Sequence, residues 1–111
     1  MDEGWSSSIS LDGNGYPHIS YNGSLKYAYR DDVGWYIQEF GDCCSTGGSS
    51  IALDGDGYPH ISYPTFGDFE GLKYTYKDTA GWHIRLVVSE IGDSSSTSLV
   101  LDKDEFPHTY L

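Results

Sequence analysis

The amino-acid sequence predicts an all-β chain assembled from a repeated unit of four antiparallel strands. Three observations predict this class. The composition favours turns and strands, with 14 Gly and 10 Tyr among 111 residues. A long segment recurs almost unchanged within the chain, and apolar residues alternate with polar ones inside each copy. A chain of this length suits one small domain, so we take residues 1–111 as a single β-repeat domain.

The internal repeat decides the architecture, because a fixed period implies one supersecondary unit per copy. Residues 8–21 and 50–63 differ only by the exchange of Ser for Ala and of Asn for Asp. A more divergent third copy occupies residues 98–111 and keeps Asp102 and His108 in register. The repeat therefore divides the chain into units at roughly 8–49 and 50–97, followed by a half unit at 98–111.

Each unit is predicted to contain four strands. In the first unit we expect strands at 8–11, 16–21 and 25–29, with a fourth beginning at Trp35. The Asp-Gly-Asn-Gly segment at 12–15 predicts a tight hairpin with a primed turn, because these residues accept positive φ. Aromatic and apolar residues occur on both faces of the unit, so both faces are suited to burial.

A four-stranded unit of about 40–50 residues with two apolar faces is typical of a β-propeller blade, which stacks on a neighbour at each side. The segment Leu-Asp-Gly-Asp-Gly-Tyr-Pro-His-Ile-Ser-Tyr at 53–63, the Leu-Lys-Tyr elements and the Gly-Trp elements resemble repeats in microbial β-propeller proteins. This resemblance implies the fold alone and transfers no catalytic residue.

The number of units raises a question of closure. About two and a half blades are predicted, whereas a closed propeller usually has about 4–8. Either the chain is a fragment of a longer repeat protein, or several copies form a homo-oligomer. For an oligomer, we expect blade stacking or exchange of the hairpin at 98–111 between chains.

Charge and composition exclude several partners. The net charge is −11 with only six Lys and Arg residues, which disfavours nucleic acid and anionic membrane surfaces. No apolar stretch approaches the roughly 20 residues that span a bilayer, and no signal peptide is recognisable, so a soluble chain without membrane insertion is expected. The native compartment stays open.

The cysteines and the recurring histidines are candidates for metal or redox chemistry. Cys43 and Cys44 are adjacent, which disfavours an intrachain disulfide; they are interpreted as two loop thiols, with intermolecular bridging or soft-metal binding as alternatives. Symmetric imidazoles at His18, His60 and His108 suit a metal in principle, but the simpler interpretation is a hydrogen bond to the Asp that opens each hairpin. No metal and no cofactor is predicted.

The Asp-Gly-Asp-Gly segment at 54–57 has alternating oxygen ligands, as a calcium loop does, yet it lacks the late bidentate carboxylate of such a loop. Turn formation is the preferred interpretation of these residues. No nucleophile elbow, zinc motif or phosphate-binding glycine loop is present, so a non-enzymatic protein is predicted.

A non-enzymatic module for structural assembly or protein interaction is the first functional hypothesis. The alternative is a carbohydrate-binding lectin with one shallow aromatic site per blade, because aromatic rings stack on sugars while polar groups bind hydroxyls. The candidate ligand-binding residues for this alternative are Trp35, Trp82, Tyr29, Tyr76, Arg30 and Lys77.

Overall fold

A computed structural model describes residues 7–21, 25–40, 48–65, 71–88, 97–104 and 106–110. These residues form ten strands in three antiparallel sheets, two of four strands and one of two strands. The predicted all-β fold class is confirmed. In this part of the chain there is no helix with the length and hydropathy needed to cross a membrane. Cys43 and Cys44 lie outside the described residues, so their predicted role stays a prediction.

The strands follow one another in each sheet in chain order, and successive strands are hydrogen-bonded neighbours. Blade 1 consists of β1 (Ser7–Leu11), β2 (Pro17–Tyr21), β3 (Lys26–Arg30) and β4 (Trp35–Glu39). Blade 2 consists of β5 (Ser50–Leu53), β6 (Pro59–Thr65), β7 (Gly71–Asp78) and β8 (Gly81–Val88). The half-blade consists of β9 (Ser98–Leu101) and β10 (Pro107–Tyr110). The expected strands of the first unit are found, with their ends shifted by at most about one residue.

The first hairpin turn differs from the prediction. The Gly15 N–H donates to the Asp12 carbonyl at 2.9 Å, and the Asp12 N–H donates to the Tyr16 carbonyl at 3.0 Å. Positive φ occurs at Gly15 (81°) and at its counterpart Gly57 (84°), but not at Gly13. A primed turn needs positive φ at its first central residue, so that prediction is wrong. The loop is instead a three-residue turn that ends in a left-handed glycine.

Each blade has two faces, which we name by their neighbours. The trailing face points toward the next blade along the chain, and the leading face points the opposite way. Residues directly opposite on paired strands share a face. The pairing of Ser20 with Tyr27 and of His18 with Tyr29 therefore places all four on the trailing face of blade 1.

Equivalent hydroxyl contacts join successive blades. The Ile51 N–H donates to Ser8 Oγ at 3.2 Å, and the Ser49 hydroxyl donates to Ser20 Oγ at 2.9 Å. The contact between blade 2 and the half-blade repeats both bonds one unit later. Its bonds run from the Leu99 N–H to Ser50 Oγ (3.1 Å) and between the Ser62 and Thr97 hydroxyls (2.7 Å).

The apolar core lies between blades 1 and 2. Its buried members come from the inner strands and from the chain around β3, and they are Leu25, Tyr27, Ile51, Ile61 and Tyr63. Phe40 and Trp82 pack on this cluster with their rings edge-on to each other, 4.8 Å between centroids. Blade stacking is thus the source of burial, because neither sheet has a covering helix among the described residues.

Candidate functional site

The aspartate that opens each hairpin organises the turn. In blade 1, Asp12 Oδ1 accepts the N–H groups of Asn14 (2.9 Å) and Tyr16 (3.0 Å). Its other oxygen, Oδ2, accepts from His18 Nε2 at 3.0 Å. The hydrogen bond from His18, followed by that from the Tyr16 N–H, holds the pKa of Asp12 below its usual value.

The same arrangement recurs in the second and third units. The Nε2–Oδ2 distance is 2.9 Å between His60 and Asp54, and it is 3.1 Å between His108 and Asp102. The expected hydrogen bond between each repeated histidine and its hairpin aspartate is confirmed. These bonds explain the repeated histidines without a metal. Among the residues that the structure describes, no group of three or more His, Cys, Asp or Glu side chains could hold a metal ion.

A tyrosine of the third strand completes this network in the two full blades. The Tyr27 hydroxyl lies 2.6 Å from His18 Nδ1, and Tyr74 makes the equivalent contact with His60. Burial raises the pKa of Tyr27, so its hydroxyl stays protonated and serves as a donor. The residue reaches His18 because β2 and β3 pair in a register that places both on the trailing face.

A shallow depression of about 600 Å³ lies at one end of blade 1. It forms where the β1–β2 turn and the β3–β4 turn come together, since both turns lie at the same end of an antiparallel sheet. Its lining combines carboxylates, a guanidinium, an amide and aromatic rings, contributed by Asp12, Asn14, Tyr16, His18, Tyr29, Arg30, Asp31 and Asp32.

The two turns fix the shape of this depression. Asp31 Oδ1 accepts the Val33 N–H at 2.8 Å and the Gly34 N–H at 3.1 Å, which closes the β3–β4 turn. The first of these bonds lowers the pKa of Asp31. Tyr29 stacks between His18 and Tyr36, with ring centroids 5.6 Å and 4.9 Å away. Two rings of this stack, His18 and Tyr29, therefore line the depression together with the exposed side chains of Arg30 and Asp32.

The candidate ligand-binding residues of blade 1 do not all converge. Tyr29 and Arg30 both line the depression, but Trp35 is not part of its lining. Trp35 pairs across the strands with Arg30, whereas Tyr29 pairs with Tyr36, so the tryptophan and Tyr29 occupy opposite faces. The Trp35 side chain is 54% exposed on the leading face.

The equivalent residues of blade 2 have different surroundings. Trp82 is half-buried and packs edge-on against Tyr27, 5.6 Å between centroids. Lys77 lies opposite Trp82 on the paired strand, and Tyr76 stacks between His60 and His83 at 5.7 Å and 4.9 Å. Trp82 therefore packs in the contact between the two blades.

Several lining residues of the depression were not among the sequence candidates, namely Asp12, Asn14, Tyr16, His18, Asp31 and Asp32. The order of the turns in the sequence could have indicated them. The first and third turns of an antiparallel four-stranded unit lie at the same end of the sheet, so both Asp-rich turns are expected to meet there.

The fold defines the class of the protein as an all-β repeat chain of antiparallel four-stranded blades, and one blade carries a polar and aromatic surface depression. The solved structure of a fucose lectin from Kordia zhangzhouensis in complex with methyl-fucoside is similar to it, with a TM-score of 0.63 and 23% sequence identity. The match covers 94% of this chain and 80% of the lectin chain. No protein-family model matches the chain, and no curated protein matches it.

Proposed function

We propose that this chain is a non-enzymatic carbohydrate-binding module and that the depression of blade 1 is a binding site. The single observation that carries the proposal is the depression itself, in which an aromatic stack and hydrogen-bonding groups meet at one surface. The likeness in fold to a fucose lectin supports it over the assembly role that was the first hypothesis. We further propose that the corresponding end of blade 2, with Tyr76 and Lys77, acts as a second site.

Sugar recognition needs an apolar surface together with fixed polar partners. The ring of Tyr16 and the accessible edge of the Tyr29 ring supply apolar surface, and Arg30 and Asn14 supply donors for sugar hydroxyls. Three carboxylates line the same depression, and the whole chain carries a net charge of −11. These charges repel anionic sugars, so we propose a neutral sugar as the ligand.

Titration with methyl-fucoside is the direct test, because the similar lectin was solved with that sugar. We expect binding by calorimetry that Arg30→Ala weakens about tenfold or more, since a hydrogen bond from a charged donor contributes roughly 1.5–3 kcal/mol. Lys26→Ala is the matched control, because Lys26 is a cation at the opposite end of the same strand. Equal effects of the two substitutions would place the site elsewhere.

A panel of other neutral monosaccharides accompanies methyl-fucoside in the same titration. Binding of one of them with the same loss in Arg30→Ala retains the proposed site and changes the sugar. No binding of any neutral sugar to the folded chain contradicts carbohydrate binding by this depression.

Structural assembly is the second candidate function, and a specific observation favours it. Ile9 and Leu11 on the leading face of blade 1 are 62% and 63% exposed, although Ile51 and Leu99, the equivalents of Ile9, are 6% and 5% exposed. We propose that the chain forms a homo-oligomer, by blade stacking or by exchange of the β9–β10 hairpin. Light scattering of the purified chain is the test, and a single mass near 12.3 kDa contradicts it.

A further inference from the structure

The leading face of blade 1 is an exposed apolar surface. The equivalent face of blade 2 is covered by blade 1 in the same chain. Ile9 and Trp35 are 62% and 54% exposed there. The equivalent Ile51 of blade 2 is 6% exposed, because the trailing face of blade 1 covers it. The two hairpins have nearly the same sequence, so the neighbouring blade accounts for the difference in burial.

The half-blade presents a trailing face of the same kind. Ser98 occupies the position of Ser8 and Ser50, whose hydroxyls accept the backbone N–H of Ile51 and Leu99 from the next blade. Val100 on the same face is 60% exposed, and the His108 side chain is 57% exposed. The surface therefore offers an acceptor and apolar area at the positions that form contacts between blades within the chain.

We propose that a second copy of this chain seats the leading face of its blade 1 on the trailing face of the β9–β10 half-blade. This proposal rests on the homo-oligomer proposed above and identifies its surfaces. Ser98 Oγ of one copy accepts the Ile9 N–H of the next, in continuation of the two contacts inside the chain. Such a head-to-tail contact is heterologous, so it closes into a ring or continues as a filament.

Stacking is favoured over exchange of the hairpin by the strand pairing of blade 1. Exchange would put β9–β10 in the place of β1–β2, so the pairing of β2 with β3 would first have to break. Stacking leaves all four strands of blade 1 paired as they are. Tyr110 takes the position of Ser20 in either arrangement, so this residue does not distinguish them.

We call the proposed contact between two copies the seam. The seam differs from the contacts inside the chain at the outer strands of the blades. Trp82 packs on Tyr27, which belongs to the third strand of blade 1. The half-blade has two strands in the described part of the chain and offers no equivalent of Tyr27. We therefore expect Trp35 to remain accessible at the seam, beside the second copy.

Paired cysteines distinguish the two modes of assembly, in a chain with Cys43→Ser and Cys44→Ser. Under stacking, Ser7→Cys with Tyr110→Cys forms a disulfide between chains, because these positions correspond to the Ser49 and Ser20 hydroxyls 2.9 Å apart. Under exchange, Ser49→Cys with Tyr110→Cys forms it instead. Ser20→Cys with Ser49→Cys is the positive control and closes within one chain.

Non-reducing electrophoresis and light scattering give the outcomes. We expect a covalent dimer or larger species from the Ser7 and Tyr110 pair and little from the Ser49 and Tyr110 pair. The reverse result, or an oligomer that neither pair cross-links, overturns the proposed surfaces but retains the proposal that the chain is a homo-oligomer. A monomer at every concentration overturns both the homo-oligomer and its proposed surfaces. Titration of the same sample with methyl-fucoside tests the carbohydrate proposal separately.

A charge on the leading face supplies a second, independent readout. Ile9→Asp is expected to weaken assembly about tenfold or more, because a carboxylate would be buried without a partner. Leu86→Asp is the matched control, since Leu86 is 57% exposed on the outer strand of blade 2 and outside the proposed seam. Equal weakening by both variants overturns the assignment of the seam to blade 1.

Discussion

The carboxylate of Asp12 accepts three hydrogen bonds, two from backbone amides and one from His18 Nε2. An ionised carboxylate is only an acceptor, so Nε2 carries the proton and Nδ1 is left to accept from the Tyr27 hydroxyl. One aspartate thereby fixes the turn, the histidine tautomer and the contact between the second and third strands.

Removal of the tyrosine hydroxyl tests this network. Tyr27→Phe leaves the buried Nδ1 of His18 without its donor, and an unsatisfied buried polar atom costs about 1–3 kcal/mol. We expect a loss of that size in the free energy of unfolding, measured by urea denaturation. Tyr74→Phe removes the equivalent bond to His60 and should have the same effect. Losses below about 0.5 kcal/mol in both variants would show that the network contributes little to stability.

At the scale of the strand, the same Gly-Trp element lies at the start of both β4 and β8, but the two tryptophans have different neighbours. Trp82 at the second position of β8 packs against Tyr27 and Phe40 of the adjacent blade. Trp35 at the start of β4 faces away from blade 2 and is 54% exposed. Equivalent residues of a repeat thus differ in energetic importance according to the surface that each meets.

This difference predicts unequal effects of the two alanine variants. Trp82→Ala removes a large ring from the contact between the blades and should cost about 2–4 kcal/mol of unfolding free energy. Trp35→Ala should cost less than about 1 kcal/mol, because over half of its surface is already in water. Urea denaturation at low protein concentration, where assembly is minimal, measures both. Equal losses would contradict the observed packing of Trp82.

Over the whole molecule, negative charge dominates, and the turn aspartates respond to pH in a defined direction. Hydrogen bonds from His18 and His108 lower the pKa values of Asp12 and Asp102 below 3.8. A lowered pKa in the folded state means that the stabilisation is complete above the unfolded value and is lost as the pH falls through the folded value. Relief of general repulsion among carboxylates acts in the opposite direction on acidification.

Comparison of two variants separates these effects. Asp12→Asn removes a hydrogen-bonded carboxylate, so its deficit in unfolding free energy relative to the native chain should be constant above about pH 5 and shrink below about pH 4. Asp56→Asn removes one exposed carboxylate from the second hairpin turn and is the control for net charge. Unfolding midpoints across this pH range provide the measurement. A deficit of Asp12→Asn that stays constant down to about pH 2 would contradict the prediction.

The strands and turns of this protein can largely be predicted from its sequence. Alternating residues define strands, and glycine with aspartate defines turns, because both depend on the conformational preferences of a few adjacent residues. The repeat itself predicted the blades, and the recurrence of each histidine together with its hairpin aspartate predicted their hydrogen bond. The primed turn was wrong because Asp-Gly and Asn-Gly suit several loops, and the choice among them depends on how the two strands pair.

Only the tertiary structure decided which surfaces meet. Trp35 and Trp82 have the same local sequence, yet the leading face of blade 2 is covered while that of blade 1 is open. Likewise, the register between β2 and β3 brings Tyr27 to His18, and the convergence of two turns creates the depression. Burial and convergence depend on neighbours distant along the chain, so identical repeats acquire different roles when they stack.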